Sequence, residues 1–464
     1  MTLRMIAPLV AKMEKWGFDR PEHEIIHLPA ASILRNDPTL ILAEQLAAQF
    51  YGSDQTLFLG NGSSQGIHAI IMAACKPGDR ILVPRNAHRS LLAALVFSGA
   101  NPVFTPVRMH PRLGLPLPPK PALVARLLAE DPCIRAVFAV HPTYEGITGD
   151  LAELIKVAHQ ANIPVLVDEA HGPHFGIHPH LPRSAIQLGA DGVVQSTHKI
   201  VGALTQASML HVQGDLLCSE KIKQAVGLLD ADPMNMGLIA SLDSARVQLE
   251  QQGYPLLDRT IYLAQQLREG INQIPGFVCF GSESIGEHGI HGFDPSKITV
   301  DTRASGIHGR DAERWLRQQY HIQAEFADPG HVLFILTIAD TEGEIKVLLN
   351  GLWALSNQSA ERHYTHQDMR PYPQLPIVSV PMMDAVYHNS RWVYAADAAG
   401  RVCASTISPY PPGIPLIYPG ELFDDDTMDY ILWGHEVSLN MMGIRLHDGH
   451  VQVRVMDDDG EAHS

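Results

Sequence analysis

Lys199 closes the apolar run Gly192-Val-Val-Gln-Ser-Thr-His-Lys199, and Asp168 closes another, Ile163-Pro-Val-Leu-Val-Asp168. A lysine held where a buried strand ends is partly desolvated, which lowers its pKa and makes its amine a nucleophile toward a carbonyl. A carboxylate at the end of Val165-Leu-Val167 needs a cationic partner if it is buried. One strand-helix unit separates the two groups, so they face a common space. A cofactor with a reactive carbonyl and a protonated ring nitrogen fits between them, and pyridoxal phosphate has both. Its pyridinium pairs with Asp168, which stabilises the electron-accepting form. Ala170, two residues on, leaves room for a flat ring.

A phosphate needs its own cradle. Gly60-Asn-Gly-Ser-Ser-Gln-Gly66 follows the strand candidate Thr56–Leu59 and precedes the apolar helix candidate Ile67–Ala74. Small residues let backbone amides approach an anion, and a helix N-terminus with the hydroxyls of Ser63 and Ser64 completes the cup. The plain alternative is a Gly/Ser-rich capping turn. His88, in Pro84-Arg-Asn-Ala-His-Arg-Ser90, and His171 are candidates to stack on the ring or to move protons, against the plain reading of satisfied loop histidines. The series His171, His174, His178, His180 invites a metal. Its irregular spacing among prolines and glycines denies it a helix that would align ligands, so no metal site is expected.

The elements that must position these groups are short, continuous apolar runs at Thr56–Leu59, Ile81–Val83, Pro102–Phe104, Ala136–Val140, Val165–Val167 and Gly192–Val194. Runs that are apolar throughout rather than alternating belong to a sheet buried on both faces, and helix-length spacers make it parallel and doubly wound. In such sheets ligands sit at the carboxyl ends of strands, where Asp168 and Lys199 fall. The expected organisation is an N-terminal segment (1–50) with amphipathic stretches at Ile6–Trp16 and Leu40–Phe50, a large α/β domain (51–275) and a small α+β domain (276–356). A Pro-rich linker (357–375) and a C-terminal domain (376–464) complete it. The large domain ends in a long helical pattern, Leu238–Ile274. The small one carries strand candidates Ile298–Val300 and His331–Leu336 and helices Arg310–Gln319 and Glu342–Leu355.

Composition narrows the function classes. The 464 residues exceed one ordinary domain, with 45% hydrophobic and 18% charged residues as in globular proteins. A net charge of −16 argues against nucleic-acid and anionic-membrane surfaces. No apolar run has the roughly 18 residues of a membrane span, and no basic region followed by an apolar stretch opens the chain, so a cytoplasmic location is expected. Five cysteines without CxxC spacing imply neither a disulfide framework nor a zinc knuckle, leaving buried reduced thiols as the expectation.

Asp168-Glu-Ala-His-Gly172, Ser196-Thr-His-Lys199 and Pro84-Arg-Asn-Ala-His-Arg-Ser90 occur with Asn61-Gly-Ser-Ser64, Pro142-Thr-Tyr-Glu-Gly146, Leu204-Thr-Gln-Ala-Ser208, Tyr410-Pro-Pro-Gly-Ile-Pro415 and Pro419-Gly-Glu421. In this combination the chain resembles the short form of the ornithine/lysine/arginine decarboxylase family, from about residue 31 to the acidic tail. The Pro-Gly-His-Lys motif of the N-terminal arm that opens short-form members does not occur in residues 1 to 30. The resemblance implies an aspartate-aminotransferase-like, fold-type-I large domain and pyridoxal phosphate carried on Lys199. It further implies Asp168 on the ring nitrogen, His88 stacked on the ring, and Ser63, Ser64, Ser196 and His198 on the phosphate. Glu325, in Gln323-Ala-Glu-Phe-Ala-Asp328, matches an acidic position that meets the substrate's distal cation. The implied reaction is decarboxylation of a basic L-amino acid, arginine, lysine or ornithine, to its amine and carbon dioxide, in a homodimer or multiple of dimers with active sites at the interface. An aminotransferase on the same fold, or a non-catalytic homologue that still binds the cofactor, is the alternative.

Overall fold

A computed structural model describes residues 32–230, 233–358, 370–410, 413–437 and 439–457. The amphipathic stretch Ile6–Trp16 and much of the 357–375 linker lie outside these residues.

The apolar runs form a seven-stranded sheet. In chain order its strands are β1 (Gln55–Leu59), β2 (Arg80–Pro84), β3 (Asn101–Thr105), β4 (Ile134–Val140), β5 (Val165–Asp168), β6 (Gly192–Gln195) and β7 (Ser208–Val212). Their spatial order is β1-β7-β6-β5-β4-β2-β3. Neighbours from β6 to β3 run parallel, and β7 inserts antiparallel to both β6 and β1. Both faces are covered, which is why the strands are apolar throughout. Helices α1 (Pro38–Tyr51), α2 (Gly62–Ala74), α3 (Ser90–Ser98), α4 (Pro121–Glu130), α5 (Leu151–Gln160) and α6 (Ser219–Leu229) supply the cover. Ile67, Ile70, Leu91, Leu95 and Ile222 pack on one face with Ile81, Val83, Phe138 and Val194. Val124, Leu154 and Ile155 pack on the other with Leu82, Val137 and Val193.

Two features depart from the expectations. Strand β7 lies in a stretch that carries no simple apolar run, because buried His211 interrupts it; His211 is satisfied by Thr56 Oγ1 at 2.8 Å and Gln195 Oε1 at 3.1 Å. Helix α2 starts at Gly62, not at Ile67, so Ser63 and Ser64 lie in its first turn. Its seat on the sheet is close: a Cβ on Gly66 would meet Val194 Cγ1 at 2.8 Å and Leu59 Cδ1 at 2.9 Å. Only glycine allows that approach, which fixes the helix N-terminus against the ends of β1 and β6.

Helix α7 (Met236–Ile271) is 36 residues and about 54 Å long, and it leaves the large domain. Asn235 caps it by accepting from the amides of Gly237 and Leu238. Its first half packs through Met236 and Ile239 on the large domain, and its second half through Leu263, Leu267 and Ile271 on the small one. There an antiparallel sheet runs in the order β8 (Val278–Cys279), β9 (Lys297–Asp301), β11 (His331–Ile335), β10 (Phe326–Ala327). It is backed by α8 (Gly309–Tyr320) and α9 (Glu342–Ser356), of which α9 opens with a Thr341/Glu344 capping box. The C-terminal part has a three-stranded sheet, β12 (Ser390–Tyr394), β13 (Arg445–His447) and β14 (His450–Met456), with helix α10 (Asp425–Glu436) beside it.

Cys75, Cys279 and Cys403 are buried and free; Cys133 and Cys218 are free but exposed, against the expectation of buried thiols, because each sits in a connection rather than in the core. Among the described residues no helix is long and apolar enough to cross a membrane.

Candidate active site

Asp168 is the last residue of β5 and pairs across to Val194 of β6. Five residues beyond Val194, a single 3-10 turn (Thr197–Lys199) brings Lys199 back toward that end of the sheet. Both side chains open into one cleft at the carboxyl ends of the strands. Ser63, His88, Ala170 and His171 line the same cleft, as do Tyr144, Glu145, Pro116 and, from the C-terminal part, Gly413 and Ile414.

Asp168 is 6% exposed, and its Oδ1 accepts from the Ala170 amide at 3.0 Å. Its second oxygen remains for a ligand cation. Lys199 is mostly enclosed, and burial lowers its pKa against the raising influence of Asp168 and Glu325. His88 opens toward the cleft, yet the protein crowded around it lowers its pKa. Its Nδ1 accepts from the Ser90 amide at 3.2 Å, so a neutral ring carries its proton on Nε2.

The sequence-predicted phosphate group is more spread. Asn61 at the N-cap of α2 makes no capping side-chain bond; the Gly62 amide is taken by the Gln206 carbonyl at 2.9 Å, which leaves the amides that follow it in the first turn to an external anion. Ser63 lines the cleft, Ser64 stands beside it in the same turn, and the Oγ of Ser196 is buried without a hydrogen-bond partner. His198 gives its Nδ1 proton to the Ala207 carbonyl at 3.0 Å. An orphaned hydroxyl together with an uncapped helix end is what a phosphate would satisfy. The residues present therefore fit pyridoxal phosphate.

His171 takes a position its sequence context does not reveal. Its Nε2 lies 2.9 Å from Lys199 Nζ, its Nδ1 lies 2.8 Å from Lys297 Nζ, and its ring packs on Tyr144 with centroids 4.5 Å apart. Tyr144 donates its hydroxyl to Glu325 Oε1 at 2.5 Å, which ties an exposed small-domain carboxylate to the edge of the site. Glu145 is 1% exposed with one oxygen unpartnered, and burial pushes its pKa up to about 7. The other histidines of the 171–180 series diverge: His174 turns to Asp294 at 3.2 Å and His178 to Asp258 at 3.4 Å. Among the described residues no group of three or more His, Cys, Asp or Glu is arranged to hold a metal.

Lys297 and Glu145 carry no role in the sequence reading. A lysine opening the apolar run Lys297-Ile-Thr-Val was a usable signal, as was the acid inside the Pro142–Gly146 motif. Arg85 is a third. It spans the base of the His88 loop, pairing with Glu421 and donating to the carbonyls of Pro415 and Leu416, and its guanidinium lies 4.6 and 4.7 Å from the ring centres of Phe104 and Tyr418. The loop that carries His88 and the segment that roofs the cleft are thereby one unit.

A lysine and an acid at or just beyond adjacent strand ends of a mainly parallel sheet fit the fold-type-I class of pyridoxal phosphate enzymes, and the fold of the chain agrees with solved members of it. The lysine decarboxylase of Francisella novicida matches with a TM-score of 0.80 at 21% identity, over 98% of this chain and 78% of that one. The ureidoglycine-glyoxylate aminotransferase of Bacillus subtilis matches at 0.55 and 14% identity, over 72% and 89%.

The chain belongs to the Orn/Lys/Arg decarboxylase family. Residues 28–344 match the family's major domain and residues 374–459 its C-terminal domain. The arginine decarboxylase of Bacillus subtilis (strain 168) is 36% identical over 402 residues, covering 86% of this chain and 82% of its relative.

Proposed function

We propose that this protein decarboxylates a basic L-amino acid, arginine first among them, with pyridoxal phosphate held by Lys199, Asp168, His88, Ser63, Ser64, Ser196 and His198, and that it works as a homodimer or a multiple of dimers. The observation that carries the reading is the meeting of Lys199 and Asp168 in one cleft with the unpaired carboxylate of Glu145. The family covers ornithine, lysine and arginine decarboxylases, and the 36% identical arginine decarboxylase favours arginine among them.

When bound, the cofactor supplies an electron sink for the pair released as the α-carboxylate leaves as carbon dioxide. The chain's own part is positional and protonic. Lys199 anchors through its amine, and desolvation keeps that amine closer to its uncharged form. Asp168 holds a positive charge at the ring nitrogen. The α2 N-terminus and the serine hydroxyls hold the phosphate, which sets where the ring lies. Glu145, and Glu325 at the rim, offer negative charge to the distal cation of the substrate. Pro116, Gly413 and Ile414 supply apolar walls that limit water, so that Lys199, with His171 beside it as the histidine that moves protons, can deliver the proton to the α-carbon.

The test is product analysis with arginine, lysine and ornithine. Carbon dioxide and the matching amine are expected from at least one, with cofactor visible absorption that Lys199→Ala abolishes. Keto acid without carbon dioxide would make the protein an aminotransferase. Absence of visible absorption from wild type after incubation with pyridoxal phosphate would remove the assignment of Lys199.

A further inference from the structure

The imidazole of His171 stands between two lysines. Lys199 Nζ is 2.9 Å from its Nε2 and Lys297 Nζ is 2.8 Å from its Nδ1. Lys297 has no exposed surface, and it enters from β9, on the small-domain side of the cleft. Its stem also presses on the main chain of the Pro142–Gly146 motif: a Cβ on Gly146 would meet Lys297 Cγ at 2.7 Å. Among the described residues His171 is the hydrogen-bond partner of the Lys297 amine. Asp294, three residues earlier, is engaged by His174 and by the Ser296 amide.

Hydrogen-bond arithmetic constrains the trio. A neutral imidazole has one N–H and one acceptor nitrogen, and an ammonium can only donate. Two ammonium groups at 2.8 and 2.9 Å would need two acceptors on one ring, which offers one. One lysine is therefore an uncharged amine that accepts the imidazole N–H, while the other donates to the opposite nitrogen. The two arrangements interconvert by one balanced move. A proton passes from Lys297 Nζ to Nδ1 as the Nε2 proton passes to Lys199 Nζ; the Lys297 ammonium becomes an amine, the Lys199 amine becomes an ammonium, and the imidazole stays neutral.

We infer that Lys297 is a positioning residue that acts through His171 to set the protonation of Lys199, holding its amine uncharged for attachment of the cofactor and returning a proton to it when Lys199 must donate one. The function of this relay rests on the reading of Lys199 as the cofactor lysine, whereas the relay itself does not. The surroundings agree. Burial, with both lysines beside it, holds His171 well below the ordinary histidine range, so it resists becoming imidazolium. Burial brings Lys297 down to about 8 and lowers Lys199 in the same direction. Lys199 is also faced by Asp168 and Glu325; Lys297 by Asp294, Glu325 and Glu145; and His171 by His88 and His198.

The test measures the titration of Lys199 in the cofactor-free protein, by acetylating it with trace acetic anhydride across a pH series and quantifying the Lys199 peptide by mass spectrometry. In Lys297→Met the cation and the donor to Nδ1 are gone. The midpoint is expected to rise by about one pH unit, which is about tenfold slower labelling at neutral pH. In Lys297→Arg a permanent cation donates to Nδ1, which leaves Nε2–H pointing at Lys199. The midpoint is expected at or below that of wild type, while turnover falls because no proton can be returned. Thermal melting of each variant checks that it is folded, and Lys297→Arg carries the test if Lys297→Met is not. An unchanged midpoint in folded Lys297→Met, or turnover intact in folded Lys297→Arg, would overturn the inference. Uptake of pyridoxal phosphate is followed separately by visible absorption: a protein that takes up none refutes the cofactor reading, and the labelling midpoints still decide the relay.

Discussion

The Arg85 guanidinium and the Glu421 carboxylate, 336 residues apart in sequence, meet in a two-pronged ion pair with contacts of 2.6 and 2.7 Å, and each side chain is 2% exposed. Arg85 lies three residues before His88, and Glu421 lies just beyond the segment whose Gly413 and Ile414 wall the cleft. The pair thus ties the loop that carries His88 to the segment that walls the cleft.

Removing one partner leaves a buried charge without compensation. Arg85→Met is expected to destabilise the protein by about 3–5 kcal/mol, read from denaturant titration. Adding Glu421→Met should recover part of this loss and not all, because the carbonyls of Pro415 and Leu416 stay without their donor. A double variant no more stable than Arg85→Met would show that the ion pair contributes little.

Glu145 is the buried carboxylate best placed to notice a cationic substrate. Glu145→Gln should raise KM for the preferred basic amino acid about 10- to 100-fold, the scale of a charge-assisted hydrogen bond, with a smaller change in kcat. Wild-type KM should also rise as pH falls below about 7, where Glu145 takes up a proton and loses its attraction for a cation. Glu325, exposed and held by Tyr144, should give a milder effect as Glu325→Gln. Steady-state kinetics of the variants over a pH series separates the two acids. An unchanged KM in Glu145→Gln would place the distal cation elsewhere.

His211 ties pH to stability. Burial lowers its pKa from 6.5 to about 3 in the fold, so the unfolded chain binds a proton that the folded one refuses. The stabilisation is therefore present above pH 6.5 and is lost as pH falls toward 3. Between pH 6.5 and 5 the loss from this one residue is about 2 kcal/mol. In His211→Gln, which keeps groups able to bond Thr56 and Gln195, the fall in unfolding free energy over that interval should be smaller by about this amount. Parallel pH profiles for variant and wild type would show that His211 accepts its proton within the fold.

That Lys199, Asp168 and His88 line one cleft was legible in the sequence, and long-range partnership was not. Lys199, Asp168 and His88 announced themselves because each sits in a short polar stretch after an apolar run, and the parallel sheet follows from the same runs. Ser63 and Ser64 were named correctly as neighbours of a helix N-terminus, but glycine and serine are poor helix formers, so the first turn of α2 looked like loop. Strand β7 was hidden because the penalty for burying His211 is removed by Thr56 and Gln195, residues of two other strands. Lys297 and Glu421 lie far along the chain from the residues they serve, and no local periodicity connects Lys297 with His171 or Glu421 with Arg85.

The cleft is assembled from Lys199, from Lys297 well downstream, and from Gly413 and Ile414 near the end of 464 residues. During synthesis Lys199 leaves the ribosome before Lys297 and well before the segment carrying Gly413 and Ile414. A nascent chain can offer an amine but not a closed pocket. A chain ending before the Pro415–Glu421 clamp is therefore expected to lack one wall of the cleft and the partners that bury Arg85.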